Sequence, residues 1–251
     1  MTILFGLGTA LLGAMLASFV GVIAERVHTG SSWGNDRSRC DACSVTLMPR
    51  DLIPVFSWLV ARGRCRSCGS KIPVRHVVIE GLVALAFFSA FVIHGLSAQL
   101  FVLFAALLVL LFVVLYDMRH TIVPMRPVVA FIVLALVYRA VLFTDTLSVG
   151  LALMVAGVAA SVFLAFHLFS RGRAMGLGDT PVVLGLSLLT GPAFVVPGIL
   201  FSFWIGALYG IVVLASTRPG HRMGIEVPFV PFLALGFLLA YFTGWNPLPI
   251  F

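Results

Sequence analysis

Residues 99–124 read QLFVLFAALLVLLFVVLYDMRHTIVP. From Leu100 to Tyr116 every side chain is apolar or aromatic, and a carboxylate, Asp117, closes the run. A helix needs roughly 17–25 apolar residues to cross the hydrocarbon of a bilayer, so this run is a membrane span with an acid at its end. Segments of the same character lie at about 2–24, 78–94, 127–143, 148–169, 181–192, 194–216 and 227–243. The segment 181–192 is short and bracketed by Pro181 and Pro192. It reads as a half-helix, whose ends need protein around them because lipid cannot satisfy free backbone groups.

Composition agrees. The chain is 61% hydrophobic and 10% charged, with a mean hydropathy of +1.14. Soluble domains carry about 25% charged residues, and a protein core of this size could not bury so much apolar surface. The expected fold is an all-α polytopic membrane protein with about eight transmembrane helices. Three regions follow: a first helix at 1–24, a loop domain at 25–77, and a bundle at 78–251.

Nine of the sixteen Lys/Arg residues fall between Arg26 and Arg75, and the rest are single residues or close pairs between apolar runs. No basic stripe with interleaved aromatics occurs, which argues against nucleic acid as a partner. The run before Ala24 lacks a positive leading region and is long for a signal-peptide core. It is read as a span with its N-terminus outside. Eight crossings then put 25–77, 117–126, 170–180 and 217–226 inside, with every Lys/Arg but Arg139. Cytoplasmic loops carry that excess.

All four cysteines lie in the loop, as Cys40-Asp-Ala-Cys43 and Cys65-Arg-Ser-Cys68. Two such knuckles can place four thiolates at the corners of a tetrahedron, the geometry of structural zinc. Arg39, Arg64 and Arg66 would offset their charge. A loop near this size needs a staple, and a cytosolic compartment disfavours the alternative of two disulfides. Four protein ligands leave no open position, so the metal would be structural.

Past Glu80 the chain has four acids, Asp117, Asp145, Asp179 and Glu226. Asp117 and Asp179 fall at the inner membrane boundary, where ionisable groups are costly and are functional candidates. Two carboxyls across one water do not ionise together, so one acts as base and the other keeps a proton. Gly176 and Gly178, in Gly-Leu-Gly-Asp179, suit close backbone approach and unusual dihedrals. The simpler alternative for each aspartate is a helix cap or a partner for Arg119, Arg171 or Arg173. His120 reads as an exposed loop residue and His167 as packed or hydrogen-bonded in the bundle. Glu25 and Glu80 read as interfacial salt-bridge acids, and Pro228 and Pro231 as a kink opening the last span.

Taken in order, SFVGVIAERV (18–27), the paired C-x2-C, DLIPVFSWLVARGRCRSCGSKIPVRHVVIE (51–80), Asp117-x6-Pro124, Gly176-Leu-Gly-Asp179 and VPFVPFLALG (227–236) resemble the type 4 prepilin peptidases. These are membrane aspartyl proteases of type IV pili and type II secretion. The resemblance implies that Asp117 and Asp179 are the catalytic pair. The substrates it implies are prepilins or pseudopilins with a basic leader before an apolar helix, cut at the cytosolic face of the bacterial inner membrane. It further implies N-methylation of the new N-terminus with S-adenosylmethionine, an activity associated with the cysteine loop. Three positions depart from the family pattern. Pro181 stands where a lysine is frequent, Gly21 where an asparagine is, and Met125 where a polar residue is. The competing readings are a proton-coupled transporter using the two aspartates and a zinc-stabilised assembly scaffold without catalysis.

Overall fold

Every one of the eight apolar segments folds as a helix. The computed structural model describes residues 2–29, 38–142, 146–173, 175–216 and 227–245. In chain order the helices are α1 (Thr2–Thr29), α2 (Phe56–Val60), α3 (Val74–His94), α4 (Ala98–His120), α5 (Met125–Leu142), α6 (Thr146–Ser170), α7 (Asp179–Thr190), α8 (Pro192–Ser216) and α9 (Val230–Thr243). A 3-10 turn, Pro49–Asp51, precedes α2. Five helices, α1, α3, α4, α6 and α8, are long and apolar enough to cross a membrane. At about 1.5 Å per residue the 12 residues of α7 reach only about 18 Å, short of a hydrocarbon core of roughly 30 Å.

The chain forms two compact units, Met1–Leu96 and Ser97–Phe251. In the first, α1 packs on α3. The missing side chain at Gly13 allows this, since a Cβ there would lie 2.7 Å from the Phe87 ring. Close approach at small residues is how helices associate in lipid, where burial of apolar surface gives no drive.

The loop of this unit is held by a repeated turn. Cys40 N–H donates to Val45 and Ser44 N–H to Cys40; Cys65 N–H donates to Ser70 and Gly69 N–H to Cys65. Isolated bridges Arg39–Thr46 and Arg64–Lys71 close the two turns, and Ser44 and Gly69 both have positive φ, 56° and 70°. Arg-Cys-x-x-Cys is thus one motif used twice, a repeat that the flanking sequence conceals.

Between the knuckles, Trp58 Nε1 donates to the Ile72 carbonyl at 3.2 Å, turning the indole inward. Val55 opens α2 with φ 61° and ψ −52°, and Phe56 N–H donates back to Pro54 across it. That is a γ-turn of the strained hand. The Val55 N–H is held by the Glu80 carboxylate at 2.8 Å. Glu80 therefore binds backbone here, in place of the expected salt bridge.

In the second unit α7 packs against α5, α6, α8 and α9. Nine of its twelve residues are buried, from Asp179 to Thr190. The short segment is surrounded by protein, as a half-helix in a membrane must be. Its C-terminal end meets Arg139 of α5, a buried residue whose Nε and Nη2 donate to the carbonyls of Leu188 (3.1 Å) and Leu189 (3.2 Å). Gly191 ends the helix at φ 93°, facing the guanidinium. Beside Arg139, the Tyr138 and Tyr241 hydroxyls bond at 2.6 Å. Pro231 sits in the first turn of α9, where no helical hydrogen bond is lost, so it starts that helix and does not kink it.

Candidate functional site

The buried face of α4 runs through Leu103 and Leu110 to Asp117. Steps of seven return to the same side of a helix, so the acid continues the core stripe and turns into the bundle. The helix runs past Asp117 to His120, where Thr121, at φ 52°, caps it by donating its N–H to the Asp117 carbonyl. Asp117 is 4% exposed. Its carboxyl accepts the N–H of Val230, the first residue of α9, while Oδ2 is buried without a partner among the described residues.

Asp179 is the first residue of α7 and is 6% exposed. Its carboxyl accepts the Gly176 N–H. An anion at a helix N-terminus is favoured by the orphan N–H groups and the helix dipole. The N-cap itself is Gly178, with no side-chain cap, so the capping alternative for Asp179 does not hold. The charge of Asp117 acts on Asp179, which puts the two carboxyls in one electrostatic neighbourhood.

Asp117 and Asp179 lie on segments whose flanking turns meet. A Cβ on Gly178 would fall 2.6 Å from Val123 Cβ, so the segment after α4 and the segment before α7 touch there. Close approach is what the glycine supplies. Its φ of −65° is ordinary, and neither Gly176 nor Gly178 has a positive φ, which corrects the expectation of unusual dihedrals. His167, near the end of α6, donates from Nδ1 to the Met175 carbonyl at 2.9 Å and steadies the same turn. His120 is half-buried, its ring 4.6 Å from that of Tyr116, and is not a loop residue. Arg171 and Arg173 are exposed; Asp145 and Glu226 lie outside the described residues. Pro181 is the third residue of α7, where its missing N–H costs no helical bond.

Two buried carboxyls facing a common water would favour one proton over two negative charges. Such a pair can take a proton from water while giving one to a carbonyl oxygen.

The four cysteines also converge, in the first unit. Their sulfurs all lie within 4.8 Å of one another, and Cys40 Sγ is 3.9 Å from Cys68 Sγ. Tetrahedral zinc with bonds of about 2.3 Å needs sulfurs about 3.8 Å apart, so the cluster fits a metal ion. The N–H of Cys43 and the Ser70 hydroxyl lower the Cys40 thiol to about 6. At Cys43 the Val45 N–H favours the thiolate, but Cys68, burial and the other sulfurs outweigh it and push the thiol up to about 11. Thiols this close resist ionising together unless a cation joins them. Arg66, expected to offset thiolate charge, instead meets Asp51 at 3.0 Å.

Reading the residues alone missed Arg139. Its signal was available: one arginine inside an apolar run, and a Gly-Pro pair at 191–192 marking a helix end for it to cap.

Residues 11–94 match the family described as Bacterial Peptidase A24 N-terminal domain, and residues 101–211 match the Type IV leader peptidase family. The chain is 30% identical over 232 residues to a prepilin leader peptidase/N-methyltransferase of Bacillus subtilis, covering 92% of each chain. It is 33% identical to the Myxococcus xanthus protein of that name, over 87% of this chain and 66% of the relative. Against the Dichelobacter nodosus protein, also so named, identity is 32% over 82% and 71%. No solved structure matches.

Proposed function

The chain belongs to the type IV leader peptidase family, and from that premise we propose that Asp117 and Asp179 are its catalytic pair. The protein is a multi-pass membrane enzyme of the prepilin leader peptidase class. One observation carries the assignment of the site. Two buried carboxyls stand on crossing segments, and one of them, Asp117, has an oxygen without a partner among the described residues.

In the proposed reaction a water lies between the two carboxyls. The ionised aspartate takes its proton as the oxygen attacks the scissile peptide carbonyl, and the protonated aspartate gives its proton to the carbonyl oxygen. Collapse of the tetrahedral species returns a proton to the leaving amine. The substrate is a type IV prepilin or pseudopilin, whose basic leader stays at the membrane surface while its apolar helix lies in the bilayer. We place the cleavage at the cytosolic face of the bacterial inner membrane, with the N-terminus outside; the concentration of Lys/Arg in four loops supports this.

The metal at Cys40, Cys43, Cys65 and Cys68 is proposed to be zinc in a structural role, the set of four thiolates being the support. S-adenosylmethionine would supply a methyl group for the new N-terminus. A cavity of about 420 Å³ in the first unit, lined by Ser18, Glu25, Trp58, His76 and Glu80 among others, is of a size that suits such a ligand. The transporter and lapsed-scaffold readings are not favoured by the family.

The test uses purified protein, a model prepilin, and Asp117→Asn and Asp179→Asn. Each substitution is expected to lower cleavage by at least ~10²–10⁴-fold, the usual share of a general acid or base. Cleavage that survives either change would remove the pair from the mechanism. Labelled S-adenosylmethionine in the same reactions reports methylation.

A further inference from the structure

We propose that α2 is an in-plane interfacial element, with its apolar face in the lipid and arginines at its two ends on anionic headgroups. Phe56, Leu59 and Val60 fall at i, i+3 and i+4, one face of a helix, and each is more than half exposed. Leu52 and Ile53, just before them, are also exposed. Trp58 does not share this face, since its indole is bonded inward to Ile72. Five large apolar side chains in nine residues form a patch of the kind that marks an interaction surface.

The level of α2 in the molecule decides what covers that patch. Its first N–H, on Val55, is held by Glu80, two turns into the membrane helix α3. On α3 the residues Val74, Val78, Leu82 and Leu85 are exposed at helical spacing and form its lipid-facing stripe. Glu80 lies on the other side of α3 from that stripe but within the first two turns of the helix, so the bond fixes α2 at the level of the stripe's first residues. The apolar face of α2 therefore lies at the level of a helix long and apolar enough to cross the bilayer. A free-standing loop would not be held there.

Charge selects the lipid. The 3-10 turn carrying Arg50 packs on α2, and Arg62 follows two residues after its end; both are exposed. Basic residues flanking an apolar helical face are the pattern of interfacial anchors that favour anionic lipids.

The experiment places p-benzoylphenylalanine at Phe56 or Leu59 of the full chain, with Ala42, exposed on the first knuckle, as control. The protein is reconstituted in equal parts phosphatidylcholine and phosphatidylglycerol, irradiated, and its adducts identified by mass spectrometry. Lipid adducts several-fold above those at Ala42 are expected, with phosphatidylglycerol over-represented. Arg50→Gln with Arg62→Gln should return the two lipids to equal yield. Adducts at Phe56 to protein, whether a second copy or another part of the chain, would overturn the proposal. So would lipid yields no higher than at Ala42. Equal capture of both lipids by the parent would overturn the role of the arginines.

Discussion

Val123 fills the space that a side chain on Gly178 would need, its Cβ 2.6 Å from where that of an alanine would stand. This contact sets how the segments bearing Asp117 and Asp179 cross. Gly178→Ala is expected to push them apart. Overpacking costs about 1–3 kcal/mol, and misplacing a catalytic group by an ångström can cost ~10²-fold in rate. Gly176→Ala is expected to be milder, since the atom nearest to a Cβ there, Asp179 Oδ2, is at an ordinary 3.5 Å. Prepilin cleavage by both variants checks the order. Val123→Ala should partly restore Gly178→Ala, and equal activity of the two glycine variants would contradict the steric account.

Arg139 and Asp179 sit at opposite ends of α7, the cation on the last carbonyls and the anion at the first turn. Both complement the helix dipole. Arg139→Gln removes hydrogen bonds from a charged donor, each worth roughly 1.5–3 kcal/mol, and leaves carbonyls that lipid cannot satisfy. A lower thermal midpoint in detergent and reduced turnover are expected, with Arg139→Lys intermediate. Wild-type stability in Arg139→Gln would mean that α7 is held by its apolar packing alone.

The metal prediction concerns the first unit. Protein purified under reducing, chelator-free conditions should carry about one zinc per chain, as four thiolates make one closed site. Cys40→Ser or Cys65→Ser should lower that content. Chelation should expose residues 38–72 to protease, because the loop has little core to hold it without its staple. Absence of metal from the parent protein would refute the four-thiolate site.

How far these features could be read beforehand depends on the range of the interactions behind them. The eight apolar segments and the C-x2-C pairs are local patterns, and each appears where the spacing puts it. The half-helix at α7 was legible from Pro181 and Pro192, although it begins two residues earlier, because proline is tolerated in a first helical turn. Asp117 and Asp179 were legible as rare acids at span ends. The Val230 N–H on Asp117, the Val123–Gly178 contact and the Arg139 cap were not. Each joins residues far apart in the chain, and no periodicity encodes which helix faces which. Glu80 was misjudged for the same reason: an acid near many arginines suggests an ion pair, while the fold brings it a backbone N–H from 25 residues away.

That backbone bond holds a strained turn. Val55 is β-branched at φ 61°, a conformation costing about 1–3 kcal/mol that persists only where its surroundings enforce it. Glu80→Ala removes the acceptor, so the turn should relax and α2 detach; backbone exchange at 55–60 is expected to rise well above the parent. Glu80→Gln keeps a carbonyl acceptor and should be milder. Val55→Gly accepts the positive φ without a side-chain clash, which offsets part of its own flexibility cost. Combined with Glu80→Ala, it should recover protection at 55–60. Hydrogen exchange read by mass spectrometry on the full-length protein checks all three. Protection unchanged in Glu80→Ala would show that packing around Trp58, and not this bond, fixes α2.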